Sequence, residues 1–496
     1  MIALVLTSCA APPRISYRGH AVVEVSLDHP TDLQQVLELT DDVWSEHVTD
    51  TITVRLDRGG QQRLAELGFD HRVRIPDIQA LAEHLAEISA GTGLYEDWQE
   101  LEAIEEHLDA LAQQGPHAER IRLGTSVEGR PIWGLELVGG GAPADRLGVL
   151  VHGAQHAREW VSASTALYLA DQLALGYGVE PEATAILDGW QVLIVPVMNP
   201  DGYRYTWTTD RLWRKNRRDN GDGTHGVDLN RNWATGWGGA GSSPQPSSIN
   251  HRGPGPFSEP ETAAIRDFLL DHPRYGRHLD LHCTGQFILY PWGFTPKLPP
   301  DEPALADIAD QLSIAIDSVH GAEYKPGPFN TRLYPASGVA IDWTHAQGMQ
   351  SYLIELRDRG HYGFLLPPDQ ILPTAEEAWA GFAQLIAAPE PPRLWLRSDD
   401  PVLVGTSIEL HTYRAHAGDT IEIWWTTSGP GSTPVPGGPE LELDDLLPLG
   451  ASTADSEGHA ILEVSLPPSV GPGDPLRLQA SSDAGMRSQI LPIEVY

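Results

Sequence analysis

From Tyr95 onward, short apolar runs that fit strands alternate with longer stretches of helical period, and this alternation restricts the fold more than any other feature. Strand, helix and strand in succession build a mostly parallel sheet, and such a sheet is stable in water only when helices cover both faces. Gly148-Val149-Leu150-Val151 and Leu279-Asp280-Leu281-His282 are two of the runs. Ligands of open α/β sheets gather beyond the carboxyl ends of strands. His156 and Glu159 stand three positions apart just past the first run, and His282 closes the second. Imidazole nitrogen and carboxylate oxygen are two of the three ligand types that zinc takes from proteins. A catalytic zinc has three such ligands and leaves a fourth position for water. A His-x-x-Glu pair alone is a weak signal, since it also occurs as an ion-paired helix start.

Length and charge narrow the rest. A chain of 496 residues has room for two to four domains. With 33 basic against 68 acidic residues, the formal net charge of -35 argues against nucleic acid and anionic membrane surfaces as partners. Cysteine occurs only as Cys9 and Cys283. Strand side chains alternate, so Cys283 and its neighbour His282 are not both ligands, and Cys283 reads as a buried free thiol. Leu6-Thr7-Ser8-Cys9 resembles a bacterial lipobox, which implies a truncated signal segment over residues 1–18, a lipid anchor at Cys9 and a secreted or lipid-anchored extracytoplasmic location. Nothing else is long and apolar enough to cross a bilayer.

Residues 19–90 read as a small α/β domain. Strands are expected at 21–27, 51–56 and around Val73, and helices at 32–39, 61–67 and 78–88. Residues 95–388 form the main α/β domain, in which Ser258-Glu259-Pro260-Glu261 reads as a capping box for a helix running to Leu270. The proline-rich stretch 389–395 reads as a stiff linker. Beyond it, residues 396–496 carry short alternating runs between Pro/Gly-rich turns, the pattern of an all-β sandwich.

Further segments lie between and beyond the two ligand-bearing runs. They are Asn199-Pro200-Asp201-Gly202-Tyr203, Arg211-Leu212-Trp213-Arg214-Lys215, and Asp228-Leu229-Asn230-Arg231-Asn232-Trp233. Tyr334-Pro335-Ala336-Ser337-Gly338, Ile341-Asp342-Trp343 and Glu355-Leu356-Arg357-Asp358 come last. In this order the chain closely resembles the zinc carboxypeptidases of the A/B type over roughly residues 95–388, with a weaker likeness to their pro-domain upstream. The resemblance implies one zinc ion per chain on His156, Glu159 and His282, and a zymogen. It implies Glu355 as general base and acid, Arg214 as oxyanion stabiliser, and Asp228 as acceptor for the free N–H of His156. It further implies Arg231 with Asn230 as the clamp on a terminal carboxylate, Tyr334 closing over it, and Arg158 lining the cleft towards upstream substrate residues. Substrates are then peptides with a free C-terminus, and the protein is expected to be a monomer.

Ile341 stands at the floor of the side-chain pocket, where basic-specific members carry an acid. An apolar floor cannot compensate a buried cation, so apolar C-terminal residues are expected. Val339 replaces a usual glycine and narrows the pocket, while the wall near Leu353 is not mapped by the resemblance. Arg211, Lys215, Arg217 and Arg218 read as a basic surface loop. His152 and His278 lack a ligand motif and are expected away from the zinc, as are His225, His251 and His345. The alternatives are an amidase acting on peptidoglycan stem peptides or N-acyl amino acids and, more remotely, a non-catalytic binding protein.

Overall fold

The computed structural model describes residues 15–494 apart from 30, 41, 45–49, 89–92, 141–145, 300, 389–392, 399–406, 414–417, 429, 435–439, 444–445, 456–459, 466–474, 483–486 and 489–490. Cys9 and most of the 89–94 segment therefore lie outside the described residues.

Strand β1 (Ala21–Ser26) is flanked antiparallel by β2 (Thr51–Leu56) and β3 (His71–Ile75), with helices α1 (Asp32–Leu37), α2 (Arg58–Leu67) and α3 (Ile78–Ile88) between and after them. Alternation in β1 and β2 sends Val23, Val25, Ile52 and Val54 inward onto Leu64 of α2. Asp57 caps α2 by accepting from Gly60 N at 2.7 Å, and Gly68 ends it in the left-handed conformation.

The main body runs α4 (Leu101–Leu111), β4 (Ala118–Thr125), β5 (Pro131–Val138), β6 (Leu147–His152), α5 (Trp160–Gly176), α6 (Pro181–Gly189), β7 (Trp190–Val195) and α7 (Pro200–Thr208). It continues through α8 (Pro260–Asp271), β8 (Tyr275–Cys283), β9 (Phe287–Tyr290), α9 (Glu302–His320), β10 (Lys325–Pro328), α10 (Phe329–Arg332), α11 (Ala340–Ala346), β11 (Gln350–Leu356) and α12 (Ile371–Ala387). Eight strands make one mixed sheet in the order β10-β9-β11-β8-β6-β7-β5-β4. Its centre, β11-β8-β6-β7, is parallel, and antiparallel pairs occur at β9–β11 and through β7-β5-β4. The central strands are buried on both faces, as the continuous burial of β8 shows. Helix α5 is buried almost all round, because it lies beneath the sheet with α12 packed beside it.

The capping box does not form. Glu259 is the N-cap of α8 and makes no side-chain cap bond. Ser258 Oγ donates to Glu259 Oε1 and accepts from Asn232 Nδ2, while Glu261 accepts from Val127 N and Asn216 Nδ2. Long-range partners displace the local ones.

After α12 the regular structure among the described residues is all strand, and the first of these strands, Arg393–Ser398, begins inside the stretch read as linker. Pairing there is antiparallel apart from the contact of 393–394 with 487–488. Ile421, Ile423, Leu476 and Leu478 alternate into its core.

Candidate active site

Register assembles the site. In the parallel pairs of β8, His282 lies opposite Glu355 of β11 and Asp280 lies opposite His152 of β6. Three adjacent carboxyl ends therefore meet. His156 and Glu159 reach the same place from the short loop between β6 and α5. Glu159 occupies the N-cap position of α5 without capping it, since its carboxylate turns towards the imidazoles. Ser162 Oγ instead donates to Glu159 O and accepts from Ala154 N, which holds the loop shut.

His156 Nδ1 is 2.9 Å from Glu159 Oε1, and His282 Nδ1 is 3.0 Å from both Glu159 Oε2 and His156 Nδ1. All three side chains are buried, with ligand atoms within 4.8 Å of one another. Two imidazoles and a carboxylate in that space are the donor set of a catalytic zinc, so the residues present fit the metal. The outer nitrogen of His156 meets Asp228 Oδ1 at 3.1 Å. A carboxylate there fixes the ring and its tautomer, as behind many zinc-bound histidines. Burial would raise the Asp228 pKa, but Arg214 and His156 outweigh it and hold the carboxylate well below its ordinary range. Burial likewise opposes ionisation of Glu159, yet the two imidazoles keep it charged.

Arg214 lies alongside. Its Nε and Nη2 hold Asp228 Oδ2 at 3.1 and 2.9 Å, and Nη1 is 3.9 Å from Glu159 Oε1. Glu355 is half-buried, and its Oε2 is shielded from solvent without a hydrogen-bond partner among the described residues. Burial and the Glu159 charge push its pKa up to about 8 against His282 and Arg214. Arg357, two residues on, pairs with Glu377 and Gln370 rather than with Glu355.

Arg231 is buried, and its guanidinium is fixed by two carbonyls, Gly241 O at 2.8 Å and Asn230 O at 2.6 Å. No carboxylate lies within ion-pair distance of it among the described residues. Gly338 makes this arrangement possible. At φ +75° it sits so close that a Cβ would fall 2.5 Å from Arg231 O. That close approach brings Gly338 against Arg231, and Tyr334 lines the same cavity as Arg231. Asn230 Oδ1 accepts from Ala340 N at 2.8 Å, which ties the same loop to α11. Ile341 is fully buried in an apolar cluster with Phe329, Leu333, Val339 and Leu353. Val339 fills space over Gly293, a Cβ on which would come within 3.1 Å of its methyl.

Arg158 is engaged differently. Its Nη1 donates to Asp42 Oδ1 at 2.7 Å, and its guanidinium stacks 3.9 Å from the centre of the Phe364 ring. Trp44 packs edge-on against the same ring at 4.8 Å. Val43 and Trp44 line the cavity over the ligands, which has only about 40 Å³ free. A larger cavity of about 420 Å³, between α3 and α7, holds none of the ligands or acid–base groups.

The basic stretch is not a surface loop. Arg211 stacks 3.6 Å above Trp160 and donates to Arg158 O and Phe364 O, while Lys215 donates to Pro246 O and Ser248 O. Arg217 lies over Tyr205, and Arg218 pairs with Glu259. None of the four is exposed; ring faces and carbonyls draw them in. Cys283 is the buried free thiol expected, though it also lines the cavity. His152 and His278 stay outside the ligand trio but join Asp280 in a second buried group behind it. His278, Asp280 and His282 share one face of β8 because a strand repeats every two residues. That periodicity was the signal by which Asp280 could have been found. Nothing local marks Asp42 or Trp44.

The zinc carboxypeptidase family matches residues 104–381. Carboxypeptidase A2 of Rattus norvegicus is 35% identical over 394 residues, covering 75% of this chain and 94% of that protein. Carboxypeptidase A4 of Mus musculus is 38% identical over 334 residues, covering 65% of this chain and 79% of that protein. The crystal structure of a carboxypeptidase A from Helicoverpa armigera superposes with a TM-score of 0.68 at 29% identity, over 75% of this chain and 98% of that one.

Proposed function

This chain belongs to the zinc carboxypeptidase family and is of the A type, and on that premise we propose that it removes single apolar residues from peptide C-termini. The observation that carries this reading is the buried guanidinium of Arg231, held by carbonyls and without a carboxylate among the described residues, beside a trio that fits zinc. A guanidinium binds a carboxylate through two parallel hydrogen bonds, which recognises a chain end by shape as well as charge.

His156, Glu159 and His282 hold the zinc, which when bound polarises the scissile carbonyl and acidifies a water. Glu355 takes the proton of the attacking water at its unpartnered Oε2 and returns it to the departing amine nitrogen. Arg214, immobilised by Asp228, offers a fixed donor to the developing oxyanion, a contribution commonly of about 3 to 4 kcal/mol. Arg231 with Asn230 clamps the terminal carboxylate, and Tyr334 closes over it. Ile341 with Phe329, Val339 and Leu353 forms an apolar pocket, in which an unpaired ammonium or guanidinium would cost several kcal/mol. Arg158 lines the cleft upstream.

Residues 19–90 act as a pro-domain that places Asp42 on Arg158 and Trp44 over the cleft, so the intact chain is a zymogen. Cleavage near residues 89–94 releases the 95–388 catalytic domain. An extracytoplasmic location is part of the same reading, with Cys9 as a lipid anchor; no helix among the described residues is long and apolar enough to cross a membrane.

The test is hydrolysis of a peptide ending in Leu or Phe, before and after chelation and zinc re-addition. Activity that ignores the metal would sink the reading. Glu355→Gln keeps the shape and removes the proton acceptor, so zinc should be retained while hydrolysis falls at least about 100-fold. Peptides ending in L- and D-residues, assayed side by side, separate this function from an amidase of stem peptides.

A further inference from the structure

The two ligand imidazoles are backed by different carboxylates. Asp228 stands behind His156 and is shared with Arg214. Behind His282 stands Asp280, whose Oδ1 is 3.0 Å from His282 Nε2 and 3.1 Å from His152 Nδ1. Both contacts are close but bent, since neither atom of His152 nor Asp280 Oδ1 makes a well-directed hydrogen bond. Asp280 is fully buried, and among the described residues its only ion-pair neighbours are those two imidazoles. A buried carboxylate with no arginine or lysine beside it needs donors from elsewhere.

His282 turns Nδ1 towards Glu159 and His156, so Nε2 must carry the ring proton when Nδ1 is a metal ligand. Two amides also approach Nε2, Gln155 Nε2 and Asn230 Nδ2, each at 3.4 Å. Their orientation is set by other bonds. Trp233 Nε1, which can only donate, points at Gln155 Oε1, and Ala340 N donates to Asn230 Oδ1. Both therefore present N–H groups to Nε2. Of the groups around that nitrogen, Asp280 is the acceptor. Without it, surrounding donors favour the tautomer protonated at Nδ1, which cannot bind a metal.

We propose that Asp280, braced by His152, is a positioning residue that holds His282 in its metal-binding tautomer and thereby sets how tightly zinc is retained. Gln155 Nε2 completes the bracing, 3.3 Å from Asp280 Oδ2. The inference rests on His282 being a zinc ligand through Nδ1.

Zinc release from the full chain into a chromogenic chelator, and the visible spectrum of the cobalt-substituted protein, test it. Asp280→Asn should release zinc about 10- to 100-fold faster, the usual cost of losing an outer-shell partner. Its cobalt bands should shift, and kcat should fall with KM little changed. His152→Leu, which leaves Asp280 in place, should act in the same direction by about 3- to 10-fold. It carries the test should Asp280→Asn fail to unfold cooperatively on heating. His278→Gln, whose Nδ1 faces Thr344 Oγ1 at 2.8 Å, should leave release at the wild-type rate. Wild-type release and an unshifted cobalt spectrum in folded Asp280→Asn overturn the proposal. So does a second tightly held metal per chain that His278→Gln removes, since His152, His278 and Asp280 would then be ligands themselves. A wild-type chain that binds no zinc instead defeats the carboxypeptidase reading beneath it.

Discussion

Arg158 and Arg231 are both buried, at 1% and 2% exposure, yet they are used in opposite ways. Arg158 already has its carboxylate, supplied by Asp42 from the connection between α1 and β2, and that carboxylate is shared with Arg55. Among the described residues Arg231 has only carbonyl partners, which fix its orientation without neutralising it. A buried cation held this way is complete only when an anion arrives, whereas one with an internal carboxylate is a subsite already filled. Under the proposed function, the same residue type, equally desolvated, serves in one place to receive a substrate end and in the other to hold a segment that is to be released.

The contrast breaks most visibly at Arg231. Arg231→Ala should weaken kcat/KM on peptides with a free C-terminus by roughly 2 to 5 kcal/mol, because the buried carboxylate loses its bidentate partner. C-terminally amidated peptides should be poor for the wild type and lose little more. Equal cleavage of acid and amide by the wild type would show that Arg231 awaits no carboxylate.

A smaller effect is expected at Asp42. Removing one member of a buried ion pair leaves an uncompensated charge, but the Trp44–Phe364 contact and the Tyr17–Asp210 hydrogen bond still hold the N-terminal sheet down. Asp42→Ala should therefore raise the activity of the intact chain by about tenfold, towards that of a chain starting at Tyr95. Intact and shortened chains of equal activity would end the idea of a filled subsite. Trypsin should not substitute for the mutation, since the sequence has no Lys or Arg between Arg74 and Arg120. A rise in activity on limited trypsin treatment would point to release by some other cut.

The smallest effect is that of pH. Burial alone would raise the Asp42 pKa, but Arg158 and Arg55 bring it down from 3.8 to about 2. A depressed acid contributes its stabilisation in full above its undocked pKa and loses it as pH falls through the docked value. The contact should then weaken only from about pH 4 downwards. The activity ratio of intact to shortened chain should stay flat between about pH 5 and 8. A ratio that moved several-fold in that window would mean that another group controls the docking.

How much of this was legible depended on how local the cause was. The order of strands and helices, the extent of α3 and the positions of His156, Glu159, His282 and Glu355 follow from periodicity and motif. Asp280 was legible too, two residues before His282 on the same strand face, but reads as an interruption in an apolar run until β6 brings His152 beside it. Asp42 carried no sign at all, because its partner Arg158 lies 116 residues away in the chain. Arg211, Lys215, Arg217 and Arg218 read as a basic surface because their ring and carbonyl partners come from other segments. The capping box at Ser258 was lost for the same reason.

By itself the sequence determined the kinds of side chain available to a metal and a chain end, and the strand ends that carry them, because donor chemistry and strand period act over a few residues. Only the tertiary structure decided which charges are buried and with whom. The Glu355 carboxyl rises to about 8 and the Asp42 carboxyl falls to about 2 though desolvation raises both. Desolvation raises each, and the outcome turns on whether guanidiniums hydrogen-bond the carboxylate, as Arg158 and Arg55 do Asp42, or a like charge stands near it, as Glu159 does for Glu355.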